Sequence, residues 1–176
     1  LTQTGLEEIL STPEKAEALA EKETSPLRVA FLGGDSHPLA LRRTLDAIKG
    51  LLSWERCQAV LFLRDAKVGA PDLEAALEEA TGSGLIVFKL PQLPALSWVD
   101  DRPCLSFFDP VMQAEEILPC DLIVLEEVYA PATGNAELAE VLGLFAGPGG
   151  FLQNDNVRNL PVITNRRGIY VAGPGR

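Results

Sequence analysis

Apolar positions along this chain alternate between two rhythms through its first half. Leu27-Arg28-Val29-Ala30-Phe31-Leu32 is an apolar, partly β-branched run stopped by Gly33 and Gly34, which predicts a buried strand. Leu41, Leu45, Ile48 and Leu52 then recur at spacings of three and four, so a helix follows, with Asp35 or Ser36 as its N-cap and Pro38 in its first turn. Ala59-Val60-Leu61-Phe62-Leu63 predicts a second strand. A second helix opens at Pro71-Asp72-Leu73 and carries Leu73, Ala76, Leu77 and Ala80, until Gly82 and Gly84 end it. Leu85-Ile86-Val87-Phe88 is a third strand. The order strand, helix, strand, helix, strand, with short connections, predicts a parallel sheet covered by helices.

The rhythm then changes. Residues 96–99, 104–108 and 111–117 are short extended runs separated by Asp-Arg-Pro and Asp-Pro breaks, and they predict a small antiparallel β-meander. Asp121-Leu122-Ile123-Val124-Leu125 returns as an apolar strand beside the first three. Residues 136–144 predict a helix with Leu138, Val141 and Leu142 facing inward, and residues 168–173 a last strand. Ahead of all this, Pro13 and the acids after it predict a short helix, followed by a linker over residues 21–26. The expected class is α/β, a Rossmann-like parallel sheet covered by helices with a small antiparallel β-meander. The expected organisation is a lead-in over 1–26, a nucleotide-binding-like domain over 27–150, and a further segment over 151–176. The chain lacks an initiator Met and stops just past a strand-like run, so both ends read as cuts from a longer protein.

Composition narrows the function classes. Hydrophobic residues make up 47% and charged residues 23%, a globular balance. No apolar run reaches the roughly 18 residues of a membrane span, and the first residues have no signal-peptide pattern. A formal charge of −10 argues against nucleic acid held by a phosphate-neutralising surface. It leaves open a nest of backbone amides around a dinucleotide, because such a nest works through oriented N–H groups. Cys57, Cys104 and Cys120 are widely spaced and form no C-x-x-C pair, so they read as thiols of a reducing cytoplasm and not as cluster or zinc ligands.

Three stretches carry candidate chemistry. At the turn Gly33-Gly34-Asp35-Ser36-His37-Pro38, amides of Gly33, Gly34 and Ser36 stand where a pyrophosphate meets a helix N-terminus, although the full G-x-G-x-x-G is absent and Pro38 removes one donor. At the end of the next strand, Asp65 is placed to bond an adenine ribose, or Arg64 and Lys67 a 2′-phosphate; it lies about 30 residues past the glycines, against about 20 in the usual fingerprint. A tight βα turn and a charged loop are the plainer readings of these two. His37, the one histidine, has no nucleophile or orienting acid at a telling spacing. Glu126 and Glu127 are adjacent, so they point apart and read as solvated loop acids. The third stretch is Thr164-Asn165-Arg166-Arg167-Gly168-Ile169-Tyr170-Val171-Ala172-Gly173.

That last stretch resembles the passage by which two-dinucleotide flavoproteins re-enter their flavin domain. With Phe62-Leu63-Arg64-Asp65-Ala66-Lys67-Val68-Gly69, the strand over 121–125, and Gly149-Gly150-Phe151-Leu152 in the matching order, the chain is similar to the inserted domain of the flavoprotein component of heterodisulfide reductase and of related pyridine nucleotide-disulfide oxidoreductases. The resemblance implies a FAD-binding parent active in electron transfer, NAD(P) at the inserted domain, and amides of Gly168, Ala172 and Gly173 near the flavin. It implies as partners the remainder of that flavoprotein and reductase or iron–sulfur subunits. The chain departs from the family at Glu126-Glu127, where glycine is usual, and at Pro174, where related reductases carry an Asp. It also holds no cluster cysteines. Two other readings stand beside this one: an α/β interaction module that has lost nucleotide binding, and a stand-alone receiver-like domain that leaves the last stretch unexplained.

Overall fold

The computed structural model of the protein describes residues 1–20, 26–33, 38–54, 56–66, 72–147, 149–153 and 162–172. Two compact units result, Leu1–Val128 and Tyr129–Arg176. In the first, strands β1 (Leu27–Leu32), β2 (Cys57–Leu63), β3 (Ile86–Lys89) and β7 (Leu122–Leu125) form one sheet in the order β3-β2-β1-β7. All three pairings are parallel, with Val29 opposite Ala59 on one side and Leu122 on the other. Helix α3 (Pro38–Leu52) joins β1 to β2 and α4 (Leu73–Gly82) joins β2 to β3. Between β3 and β7 runs a separate antiparallel sheet of β4 (Ala95–Val99), β5 (Arg102–Asp109) and β6 (Ala114–Pro119). The expected α/β class is therefore the observed one.

Strand alternation explains the layering. Val29, Phe31, Leu61, Leu63 and Val124 point to one face, where they pack with Leu41, Leu45, Ile48 and Leu51 of α3 and Leu73 and Ala80 of α4. The intervening residues Ala30, Val60, Phe62 and Ile123 point to the other face and meet Leu105 and Phe107 of β5. Helices thus cover one face of the parallel sheet, and the meander covers the other. Phe62 is the pivot of that second interface: its ring stacks on Phe88 at 5.1 Å and meets Phe107 edge-on at 4.9 Å.

The amino-terminal lead-in holds two helices where one was expected, α1 (Gln3–Ser11) and α2 (Pro13–Ala20). Thr2 caps α1 by accepting from the Gly5 amide at 3.2 Å, and Leu6 is fully buried against the helical face of the sheet. Thr2 also bridges Leu125 in parallel, so the first residues pair alongside the outer edge of β7. The third run of the meander begins at Ala114 and not at 111, because Pro110 to Gln113 make the turn: the Asp109 carboxylate accepts from the Val111 and Met112 amides.

The second unit contains α5 (Asn135–Leu142), ended by Gly143 in the left-handed conformation at φ +61°. Here the expected inward face is overturned. Leu138, Val141, Leu142 and Phe145 are 49, 76, 39 and 63% exposed, while Asn135 is buried and Ala139 packs on Leu144, Leu152 and Val171. The helix turns its small residues inward because the cluster beneath it is small. The expected last strand is reduced to a single bridge between Ile163 and Tyr170.

Candidate functional site

In an open parallel sheet, ligands are taken in the crevice outside the carboxyl ends of the strands, where the strand order reverses. Successive connections move outward from β1 to β2 to β3, and the chain then crosses back to the opposite side of β1 as β7. The reversal therefore lies between β1 and β7. Gly33 ends β1 there, its amide bonded to the Phe62 carbonyl at 3.0 Å, and Glu126 ends β7, its amide bonded to the Leu32 carbonyl at 3.0 Å. A cleft of about 550 Å³ opens at this edge, lined by Leu32, Gly33, Arg64, Leu93, Pro94, Leu125, Glu126 and Val128.

Gly33 is buried under its neighbour. A Cβ added to it would lie 2.9 Å from the Cβ of Glu126 and 3.1 Å from both its Cδ and one carboxylate oxygen. The glycine is required by this close approach. The expected solvated acid pair is thus corrected for both members. Glu126 lies over Gly33. The Glu127 carboxylate accepts from the amide of Thr4 at 3.1 Å and from the Thr4 hydroxyl, and pairs with Arg43 at 3.7 Å. It stabilises the first turn of α1, where amides lack helical partners. Hydrogen bonds from Thr4, aided by the Arg43 charge, hold its carboxyl below the usual range. Arg43 also binds Glu7 at 2.7 Å, and its hydrogen bond lowers that carboxyl too. Buried Gln3 completes the network by donating to Glu7 and to the Arg43 carbonyl, each at 3.3 Å. None of this is visible as a local motif, since Glu127 and Thr4 lie more than a hundred positions apart in sequence.

Of the other expected nucleotide contacts, Asp65 stands exposed just past β2 and pairs with Lys89 at 3.7 Å. Gly34, Ser36, His37 and Lys67, with the expected N-cap Asp35, lie outside the described residues. Cys57 and Cys120 carry thiols that burial pushes up to about 11, and Cys104 is buried. Low thiolate content makes the first two poor nucleophiles or metal ligands at neutral pH. Among the described residues no group of His, Cys, Asp and Glu is arranged to hold a metal ion. Among the same residues no helix is long and apolar enough to cross a membrane.

In the second unit, the stretch that carries the flavoprotein resemblance forms a tight turn. The buried Thr164 hydroxyl donates to the Ile169 carbonyl at 2.9 Å and accepts from the Arg166 amide at 3.2 Å, while the Ile169 amide returns to the Arg166 carbonyl at 3.1 Å. Gly168 sits at φ +85° with open space where a side chain would project. Asn165 reaches the end of α5, donating to the Gly143 carbonyl at 2.9 Å and accepting from the Phe145 amide at 3.1 Å. Arg166 lies against Gly143 and donates to the same carbonyl at 3.2 Å. Ala172 is exposed, and Gly173 and Pro174 lie outside the described residues.

No family model matches the chain, and no curated protein matches it. Several solved structures follow parts of its course. The HOCl-induced flavoprotein disulfide reductase of Escherichia coli, as its Cu(II) complex, aligns with a TM-score of 0.47 and 15% identity over 95% of this chain and 35% of its own. Thioredoxin reductase of Lactococcus lactis gives 0.47 and 17% over 92% and 48%. L-Lysine 6-monooxygenase of Pseudomonas syringae gives 0.44 and 15% over 85% and 45%. The chain spans less than half the length of each of these proteins, and likenesses of this size decide nothing about chemistry.

Proposed function

We propose that the chain is a portion of a flavin-dependent oxidoreductase related to the flavoprotein component of heterodisulfide reductase. In this reading it contributes an inserted, NAD(P)-domain-like unit and one edge of a FAD site in electron transfer. The observation that carries the reading is the Thr164–Ile169 turn with Gly168 at its tip. It keeps a positive-φ glycine with nothing over its Cα, which is what close approach of a cofactor to backbone requires. The resemblance assigns FAD to this stretch. The chain's own part is to present backbone amides and exclude bulk, while the redox step belongs to the flavin. The remainder of the flavoprotein and its reductase or iron–sulfur subunits, in the cytoplasm, are the partners this reading supplies.

The test uses the full-length protein. It is expected to purify with flavin, read by its visible absorbance and by FAD released on denaturation. Gly168→Val and Gly168→Asn are both expected to lower flavin occupancy several-fold, because each puts a side chain where the cofactor approaches the backbone, even though Asn tolerates the positive φ. A natural full-length protein without flavin refutes the proposal.

A second reading, a docking module without catalysis, is favoured by one feature of the meander. Its β5–β6 hairpin exposes Val111 and Met112 at the tip, 86 and 69% accessible, with Phe108 and Ile117 also exposed on its strands. Contiguous exposed apolar side chains mark contact surfaces. Recovery of the natural protein as a stable, flavin-free complex with another protein would favour it.

A further inference from the structure

The crevice where the strand order reverses is the place this fold offers to a ligand's anionic group, and Glu126 occupies the Gly33 side of the cleft that opens there. Gly33, the residue whose missing side chain should leave room for a phosphate, has that space taken by Glu126, which lies within 3.1 Å of where a Cβ would stand. The covering group is an acid. A diphosphate entering here meets its bulk and its negative charge on the Gly33 side of the cleft, with Arg64 as the cation of the lining.

The backbone that carries the cover is also fixed in place. The Glu126 amide is bonded to β1 through the Leu32 carbonyl, and the next residue, Glu127, is tied to Thr4 and Arg43. The preceding residue, Leu125, donates its amide to the Leu1 carbonyl at 2.9 Å. With backbone held on both sides, the acid has only side-chain rotation by which to leave.

The geometry points to Glu126 as a built-in acid that denies diphosphate ligands close approach to Gly33 at the crevice between β1 and β7, making it the specificity-determining residue of this cleft. The inference rests on reading the cleft as a dinucleotide-type crevice, and it runs against NAD(P) binding by the natural chain. Removing the acid should restore the site that the fold provides. Glu126→Gln removes the charge and keeps the shape; Glu126→Ala removes both.

Calorimetric titration of the full chain and both variants with NADH, NADPH and inorganic pyrophosphate tests this, with circular dichroism confirming that each variant is folded. The wild-type chain is expected to give no saturable heat at millimolar ligand. Glu126→Ala is expected to bind a dinucleotide or pyrophosphate at least about tenfold more tightly, about 1.4 kcal/mol, with affinity that falls as salt rises. Glu126→Gln is expected to fall between the two. Wild-type binding equal to that of Glu126→Ala, or a folded Glu126→Ala as inert as the wild type, would overturn the inference. The flavoprotein reading fails separately: a flavin-free natural protein whose Glu126→Ala form gains nucleotide sinks that reading and leaves this one standing.

Discussion

Replacing Phe62 by alanine tests whether the meander is held to the parallel sheet by the aromatic cluster. The ring is fully buried, and burying a phenylalanine contributes about 1.5–3 kcal/mol. The substitution also removes two ring pairs, with Phe88 and Phe107, at about 0.5–1.5 kcal/mol each, while Phe88 and Phe107 keep their own contact at 4.9 Å. The expected loss is therefore about 3–5 kcal/mol, the range for a buried phenylalanine whose cavity does not collapse. Urea unfolding followed by tryptophan fluorescence is the suitable assay, because both tryptophans, Trp54 and Trp98, lie in the first unit and report it alone. A cycle with Phe107→Ala should return a coupling of about 0.5–1.5 kcal/mol. A loss below about 1 kcal/mol, or no coupling with Phe107, would refute the view that this cluster joins the two sheets.

Two further outcomes follow from the hydrogen-bonded networks. Gly143→Ala places a side chain at φ +61° and against the Arg166 guanidinium, so the second unit should lose about 1–2 kcal/mol, seen as faster amide exchange around α5 with the first unit unchanged. Glu7 and Glu127 have folded carboxyl pKa values below their unfolded ones, so their stabilisation is complete above the unfolded value near about 4.3 and is lost as pH falls through the lower folded values. Amides of α1 should accordingly lose exchange protection below about pH 4, and Arg43→Gln should raise the pH of that loss; unchanged protection of α1 down to acid unfolding of the whole chain would contradict this.

The sheet was legible in the chain because burial on both faces of β1 and β2 leaves the apolar runs 29–32 and 59–63, and α3 announces itself by its repeat of Leu41, Leu45 and Ile48. The meander was legible from its Pro and Asp breaks. Helix α1 was not, since Leu6 is its one fully buried apolar residue and its other anchors, Gln3 and Thr4, are polar and meet partners on α3 and after β7 that no local pattern reveals. The orientation of α5 was misread for a related reason. Leucine and valine spacing marks a helix face, but which face is covered depends on what lies beneath it. At the candidate site, Gly33 was found from its place after a strand, whereas the carboxylate above it depends on the pairing of β1 with β7.

That pairing has a cost in time. Strand β1 is central in the finished sheet, yet its bond to the β7 side joins Arg28 to Asp121, 93 positions later. During synthesis β1, β2 and β3 can assemble while one long side of β1 still shows its amides and carbonyls to any passing strand. Contacts of such separation form slowly, and exposed edges invite association with other chains. The emerging protein therefore spends its most vulnerable interval waiting for the meander to be made and for β7 to close the gap. Conditions that slow translation between β3 and β7, or fragments that end before residue 125, should yield aggregate in place of folded protein.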